Sequence, residues 1–164
     1  QLMIDATGSI GLESGHRFSD VATFSSCKGL FGLTGAAFIA YNTKPKNKVR
    51  SFYMDIETHI NKKLTGPYHT IGSLYHVLKK HSEFNNAVKT NKLKFLKDNS
   101  KFLIYPLKNQ PLLCTYSKVR YQNRKRNIII YESRKKIIGS VVSHLGETYL
   151  KNKSKGLIQK YLLK

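Results

Sequence analysis

Lys28 stands among apolar and small residues, Val21-Ala-Thr-Phe-Ser-Ser-Cys-Lys-Gly, and Gly29, Gly32 and Gly35 follow it. A lysine so flanked is a candidate for a desolvated amine, which releases its proton more readily and attacks carbonyl carbon. Ahead of it, the run Leu2-Met-Ile-Asp5-Ala-Thr-Gly-Ser closes an apolar stretch on a single carboxylate. A buried carboxylate requires a cationic partner. A pyridinium nitrogen is one such partner, and a Lys Schiff base with an Asp on that nitrogen is the signature of pyridoxal phosphate chemistry. On spacing alone two plainer readings stand beside this one. Lys28 is then a solvated loop residue after a strand, and Asp5 a helix cap.

To act together, these groups must be carried by strands. The short apolar runs bounded by glycines suit strands covered on both faces, of the parallel type. Residues 2–5, 21–26 and 36–41 are the expected strands, with a polar connection over 7–20. In open α/β sheets ligands sit at the carboxyl ends of strands, which is where Asp5 and Lys28 fall. The glycines after Lys28 let the backbone turn sharply or approach a ligand.

The segment resembles the Schiff-base region of the class V, fold-type I aminotransferases, and among them the 2-aminoethylphosphonate–pyruvate transaminases. The shared pattern is an apolar strand, Asp-Ala-x-x-Ser-x-Gly, a second apolar strand, Ser-Ser, the lysine and a glycine-rich turn into another strand. Here it is carried by Asp5, Ala6, Ser9, Gly11, Ser25, Ser26, Lys28, Gly32 and Gly35, within about the first quarter of the chain. The resemblance implies an α/β fold. It corresponds to the C-terminal part of a pyridoxal-phosphate transferase large domain with mainly parallel strands, over residues 1–81. A small α+β C-terminal domain follows over 82–164. The family's glycine-containing phosphate loop and ring-stacking aromatic residue precede the Asp, so the chain corresponds to the C-terminal portion of such an enzyme.

What the resemblance implies for individual residues is specific. Lys28 is the catalytic residue that holds pyridoxal 5'-phosphate. Asp5 keeps its ring nitrogen protonated and Thr7 lies beside the ring. Ser25 and Ser26 reach the phosphate, and Cys27 occupies the place where many relatives have His, Gln or Asn. Thr65, in Thr65-Gly66-Pro67, matches a Thr-x-Pro turn that reaches the partner subunit's cofactor phosphate, which implies a homodimer with a shared active site. Ser9 is a substrate contact; the family's carboxylate-gripping Arg precedes a Gly, Ile137 occupies that place here, and Arg134 or Lys136 could substitute, Arg134 being the candidate because Lys lacks the planar fork. The reaction implied is transfer of an amino group from an amine such as 2-aminoethylphosphonate to a 2-oxo acid such as pyruvate.

The later chain supplies helices and strands. Thr65-Gly-Pro67 is a turn signal, after which Ile71, Leu74, Tyr75 and Leu78 fall at helical spacing. Ser51 to Lys63 suits a short strand and a helical turn. Residues 81–98 are helix-prone, with Phe84, Val88, Leu93, Phe95 and Leu96 inward. Strands are expected at 102–105, 112–116, 127–131 and 136–144, and a final helix at 148–164. His69, His76 and His81 read as face or surface histidines, their spacing being poor for a metal; no metal site is expected.

Composition bounds the alternatives. The 164 residues suffice for one domain or two small ones, and no twenty-residue apolar stretch suggests a membrane span. Gln1 to Asp5 shows no signal-peptide pattern. Two cysteines, Cys27 and Cys114, form no disulfide framework and fit a reducing cytoplasm. The formal net charge of +20 raises a second reading, a basic nucleic-acid-binding module. The lysines are spread along the chain, however, and the basic cluster Tyr121-Gln-Asn-Arg-Lys-Arg126 reads as a solvated hairpin tip. A third reading is a non-catalytic remnant of the transferase fold, for which Ile137 is the motive.

Overall fold

The three apolar runs of the first forty residues become one small sheet. The computed structural model describes residues 1–43, 49–63, 66–121, 129–132 and 139–154. Strands β1 (Met3–Asp5), β2 (Val21–Ser25) and β3 (Ala37–Tyr41) pair in the order β1-β2-β3. The β1–β2 pairing is parallel, with Asp5 opposite Thr23, and β2–β3 is antiparallel, with Ser25 opposite Ala37. Three α-helices come next: α1 (Ile56–Asn61), α2 (Tyr68–Leu78) and α3 (His81–Asn99). A second sheet, β4 (Cys114–Ser117), β5 (Ile129–Glu132) and β6 (Ser140–Ser143), runs in the order β4-β6-β5 with both pairings antiparallel. Helix α4 (His144–Ser154) follows β6 directly. The fold is therefore mixed α/β, with small sheets and four helices among the described residues.

Several expectations are corrected by this arrangement. The mainly parallel sheet is reduced to one parallel pairing. Its strands are not covered on both faces, since Met3 is 69% and Ile39 51% exposed. Residues 102–105 form no strand: Leu103 makes an isolated bridge to Ser117, extended by the Ile104 N–H to the Tyr116 carbonyl at 3.0 Å. The short strand expected at the start of 51–63 is not formed either. Residues 51–54 turn, and Asp55 caps the helix by accepting from the Glu57 N–H and the Thr58 hydroxyl at 2.6 Å. The last helix begins at His144 rather than 148, because β6 leads straight into it.

Of the expected apolar spacing on α2, Leu74 alone turns inward. Tyr68, Ile71, Tyr75 and Leu78 face outward, while Thr70, Ser73, Leu74 and Val77 are buried. The small residues win because the 26–36 loop presses against them. The Leu33 N–H donates to Ser73 Oγ at 3.2 Å, and a Cβ at Gly32 would lie 2.7 Å from Leu74 Cδ2. Bulkier side chains at positions 70 and 73 would hold helix and loop apart.

One apolar cluster, Leu12, Phe31, Val77, Phe84, Val88 and Leu145, joins the loop after β2 to α2, α3 and α4, with Leu112, Leu113 and Tyr149 packed against it. It draws on residues from both sides of the boundary expected at 81/82.

Beside this cluster lies a buried polar one. His144 is fully buried, its Nε2 2.7 Å from Thr115 Oγ1, and the Asn91 amide donates to the Thr148 hydroxyl at 2.9 Å. Burial, reinforced by the positive charge of Lys92, lowers the His144 pKa from 6.5 to about 4. The unfolded chain then takes up this proton more readily than the native one. Stability from His144 is complete above pH 6.5 and is lost as pH falls toward 4, by up to about 3 kcal/mol. Urea titrations at pH 7.5 and 4.5 on the native protein and on His144→Gln measure this loss. The native protein is expected to lose more stability than the variant, and equal losses would contradict it.

Candidate functional site

The parallel register of β1 and β2 sets their carboxyl ends at the same edge of the sheet. Asp5 pairs with Thr23, so the chain runs through Phe24 and Ser25 before turning at Lys28. Asp5, Thr23 and Ser25 share one sheet face, because register partners point the same way and side chains alternate. Phe24 and Phe38 stack on the other face, 5.2 Å between centroids.

Asp5 is held as a carboxylate. Its Oδ1 accepts the Thr7 N–H at 2.9 Å. The Thr7 hydroxyl and N–H hold its pKa below the usual carboxylate range, and the positive charge of Lys28 pulls in the same direction. Asp5 is exposed rather than buried, because β1 is an edge strand with β2 on one side alone.

The turn that carries Lys28 is built with care. Ser26 is wholly buried, and its hydroxyl donates to the Leu33 carbonyl and accepts the Ala36 N–H at 3.3 Å. Its backbone adds two bonds, Ser26 N–H to the Ala36 carbonyl at 3.0 Å and Gly32 N–H to the Ser26 carbonyl at 2.9 Å. Ser26 thus closes the 26–36 loop, which removes it as a phosphate ligand. Ser25 remains partly open, its Oγ 3.3 Å from Cys27 Sγ. Lys28 itself takes a left-handed backbone with φ of 52°, as does Phe31 at 61°. Non-glycine residues rarely adopt that region, and such strain persists only where surrounding structure enforces it.

Enforcement comes from α3 and α4. Tyr149 Oη donates to the Lys28 carbonyl at 3.1 Å, and His81 Nε2 donates to the Gly29 carbonyl at 2.7 Å. Gly29 must be glycine for packing, since a Cβ there would meet the Ile10 carbonyl oxygen at 2.1 Å. With its carbonyl tied down, Lys28 leaves its side chain exposed. The described residues therefore do not supply the desolvation its flanks suggested.

Neither Tyr149 nor His81 was marked as functional by the sequence. His81 read as a surface histidine, and Tyr149 fell in a helix with nothing to tie it to residue 28. The sequence signal available for Tyr149 is its i+4 spacing from Leu145, which puts both on the core side of α4.

The remaining expected residues are scattered. Ser9 Oγ lies 2.9 Å from His16 Nε2, and this pair sits on the connection between β1 and β2. Thr65 and Arg134 lie outside the described residues, as do Ile137 and residues 122–126 of the basic cluster. Gly66 and Pro67 lead into α2, where the Tyr68 N–H donates to the Gly66 carbonyl at 2.9 Å. Among the described residues, no group of three or more His, Cys, Asp or Glu stands together to hold a metal ion. No described helix is long and apolar enough to cross a membrane. Comparison of the chain with protein-family models, with curated proteins and with solved structures gave no match.

The donor set fits a pyridoxal phosphate ring on chemical grounds. It offers an ionised carboxylate with Thr7 bonded to it, an accessible amine in the turn after the neighbouring strand, and the partly open hydroxyl of Ser25 at the end of that strand.

Proposed function

We propose that this chain carries the lysine-bearing part of a pyridoxal-phosphate-dependent aminotransferase site of the class V, fold-type I kind. What supports the reading is that Asp5 ends β1 and Lys28 follows β2 at the same edge of the parallel pair. The cofactor, when bound, would supply an electron-accepting ring. Asp5 would hold a proton at its ring nitrogen, which requires the ionised state that Thr7 enforces. Lys28 Nζ would anchor it covalently and, once displaced by an amino donor, move a proton at the substrate Cα. The strained turn fixes the point from which the lysine swings. Thr7 would flank the ring and Ser25 would bind the phosphate. Cys27 would line the pocket between Ser25 and Lys28, and Ser9 and Arg134 are proposed for the substrate.

The donor and acceptor proposed are an amine such as 2-aminoethylphosphonate and a 2-oxo acid such as pyruvate. A homodimer is proposed as well, with Thr65 reaching the partner's phosphate. What supports it is the exposed stripe Tyr68, Ile71, Tyr75 and Leu78 on the helix that follows Thr65. A cytoplasmic location is supported by both cysteines being free thiols.

The test is addition of pyridoxal phosphate, reduction with borohydride and peptide mapping by mass spectrometry. A single adduct on Lys28 supports the reading. Adducts spread over the many surface lysines, or none, would overturn it.

A further inference from the structure

Further along α3, past the core cluster, lies a cavity of about 460 Å³ that uses none of the residues assigned to transamination. Its walls are Leu12, Leu93, Leu96, Leu107 and Leu112, and its polar groups are Glu13, Lys89, Lys92 and Gln110. The size is that of small-molecule sites, which are mostly apolar with a few placed polar groups.

Lys92 is the unusual member. It is only 7% exposed, and its ammonium donates to the Gln110 carbonyl at 3.1 Å and the Pro111 carbonyl at 2.8 Å. Two of its three N–H bonds are so engaged. Burial pulls its pKa down, and Glu13 offsets this only in part. Glu13 is itself tied to the Leu112 N–H through Oε1. The Gln110 side chain is satisfied by the Tyr105 and Tyr116 carbonyls and the Tyr116 N–H. The lining thus sets two cations, Lys89 and Lys92, against one carboxylate. Leu93 and Leu107, 68% and 56% exposed, form an apolar mouth.

We propose that this cavity is a second binding site, taking a small amphiphilic carboxylate whose apolar chain lies along the leucines and whose carboxyl group meets Lys92 and Lys89. A buried ammonium with an unused donor favours an anion. Leucine walls favour a hydrocarbon chain, and together they select a ligand carrying both. Glu13 disfavours a dianion, which restricts the class to one carboxyl group.

The experiment is titration calorimetry with octanoate, butanoate and octan-1-ol. Octanoate is expected to bind saturably, and affinity to fall about fourfold for each methylene removed. Octan-1-ol should bind at least tenfold more weakly, on the order of one charge-assisted contact. Lys92→Met should bring octanoate down to the level of the alcohol while leaving the alcohol unchanged. Leu93→Glu, at an exposed position that folding tolerates, should weaken octanoate at least tenfold by placing a second carboxylate at the mouth. Octanoate that fails to saturate the native protein, or binds Leu93→Glu as well as the native chain, would overturn the proposal. Lys28→Ala should bind octanoate unchanged, so failure of the aminotransferase reading leaves this result standing.

Discussion

Replacing Lys28 by alanine is expected to abolish covalent capture of pyridoxal phosphate and to leave the fold intact. The Lys28 side chain is exposed, so its removal opens no cavity. Its carbonyl, the group that Tyr149 and His81's neighbouring bond hold in place, is retained by any residue. The visible absorbance of the native protein with cofactor should vanish, and borohydride should fix no label in the peptide spanning β2 and the following turn. Transamination, measured on the protein that shows it, should fall by about 10²–10⁴-fold, the range for loss of a positioned acid–base group. Lys28→Arg should fail equally, since a guanidinium stays protonated and forms no such bond. An unchanged absorbance band in Lys28→Ala would remove the aminotransferase reading altogether. Asp5 would then be a turn residue whose carboxylate serves Thr7.

The second large effect is on stability. Phe31→Ala is expected to cost about 3–5 kcal/mol, the usual range for deleting a buried aromatic ring. Phe31 is 1% exposed and stacks on Phe84 and Tyr149, with centroids at 4.9 and 5.4 Å, while His81 meets it edge-on at 5.8 Å. These are partners from α3 and α4, so the ring ties the loop after β2 to both helices. The same residue ends the turn that carries Lys28, and its N–H donates to the Lys28 carbonyl at 3.0 Å. Urea midpoints should therefore drop, and cofactor capture by Lys28 should slow in the fraction that stays folded. A loss below about 1 kcal/mol would mean that the core closes without this ring.

The two effects separate chemistry from support. Lys28 supplies an amine and is dispensable for folding. Phe31 supplies no chemistry and holds the amine's backbone in a conformation that a free chain avoids. Left-handed backbone at both residues is local strain sustained by the ring's burial and by the bonds from Tyr149 and His81. A site of this kind loses function when its supports are cut, even though they touch no ligand.

Local patterns in the chain determined the positions of β1, β2 and β3, the placing of Asp5 and Lys28 at strand ends, and the existence of α2 and α3. Apolar runs, glycines and Pro67 are read at short range, where alternation and 3.6-residue spacing are properties of the backbone itself. Pairing direction was decided only in three dimensions. An apolar run of five residues serves a parallel or an antiparallel neighbour equally, and β3 turned back on β2. The buried side of α2 was likewise a tertiary outcome. Ile71, Leu74, Tyr75 and Leu78 carry the apolar spacing, yet of these only Leu74 is buried, and Thr70 and Ser73 face inward with it, because the glycine loop needs small partners at close range. Ser26 became a structural clamp, and His81 and Tyr149 became anchors, through contacts spanning 10, 52 and 121 residues of chain. A sequence can mark which groups could do chemistry by their neighbours along the chain. Which of them are free to do it depends on hydrogen-bond partners that arrive from elsewhere in the fold.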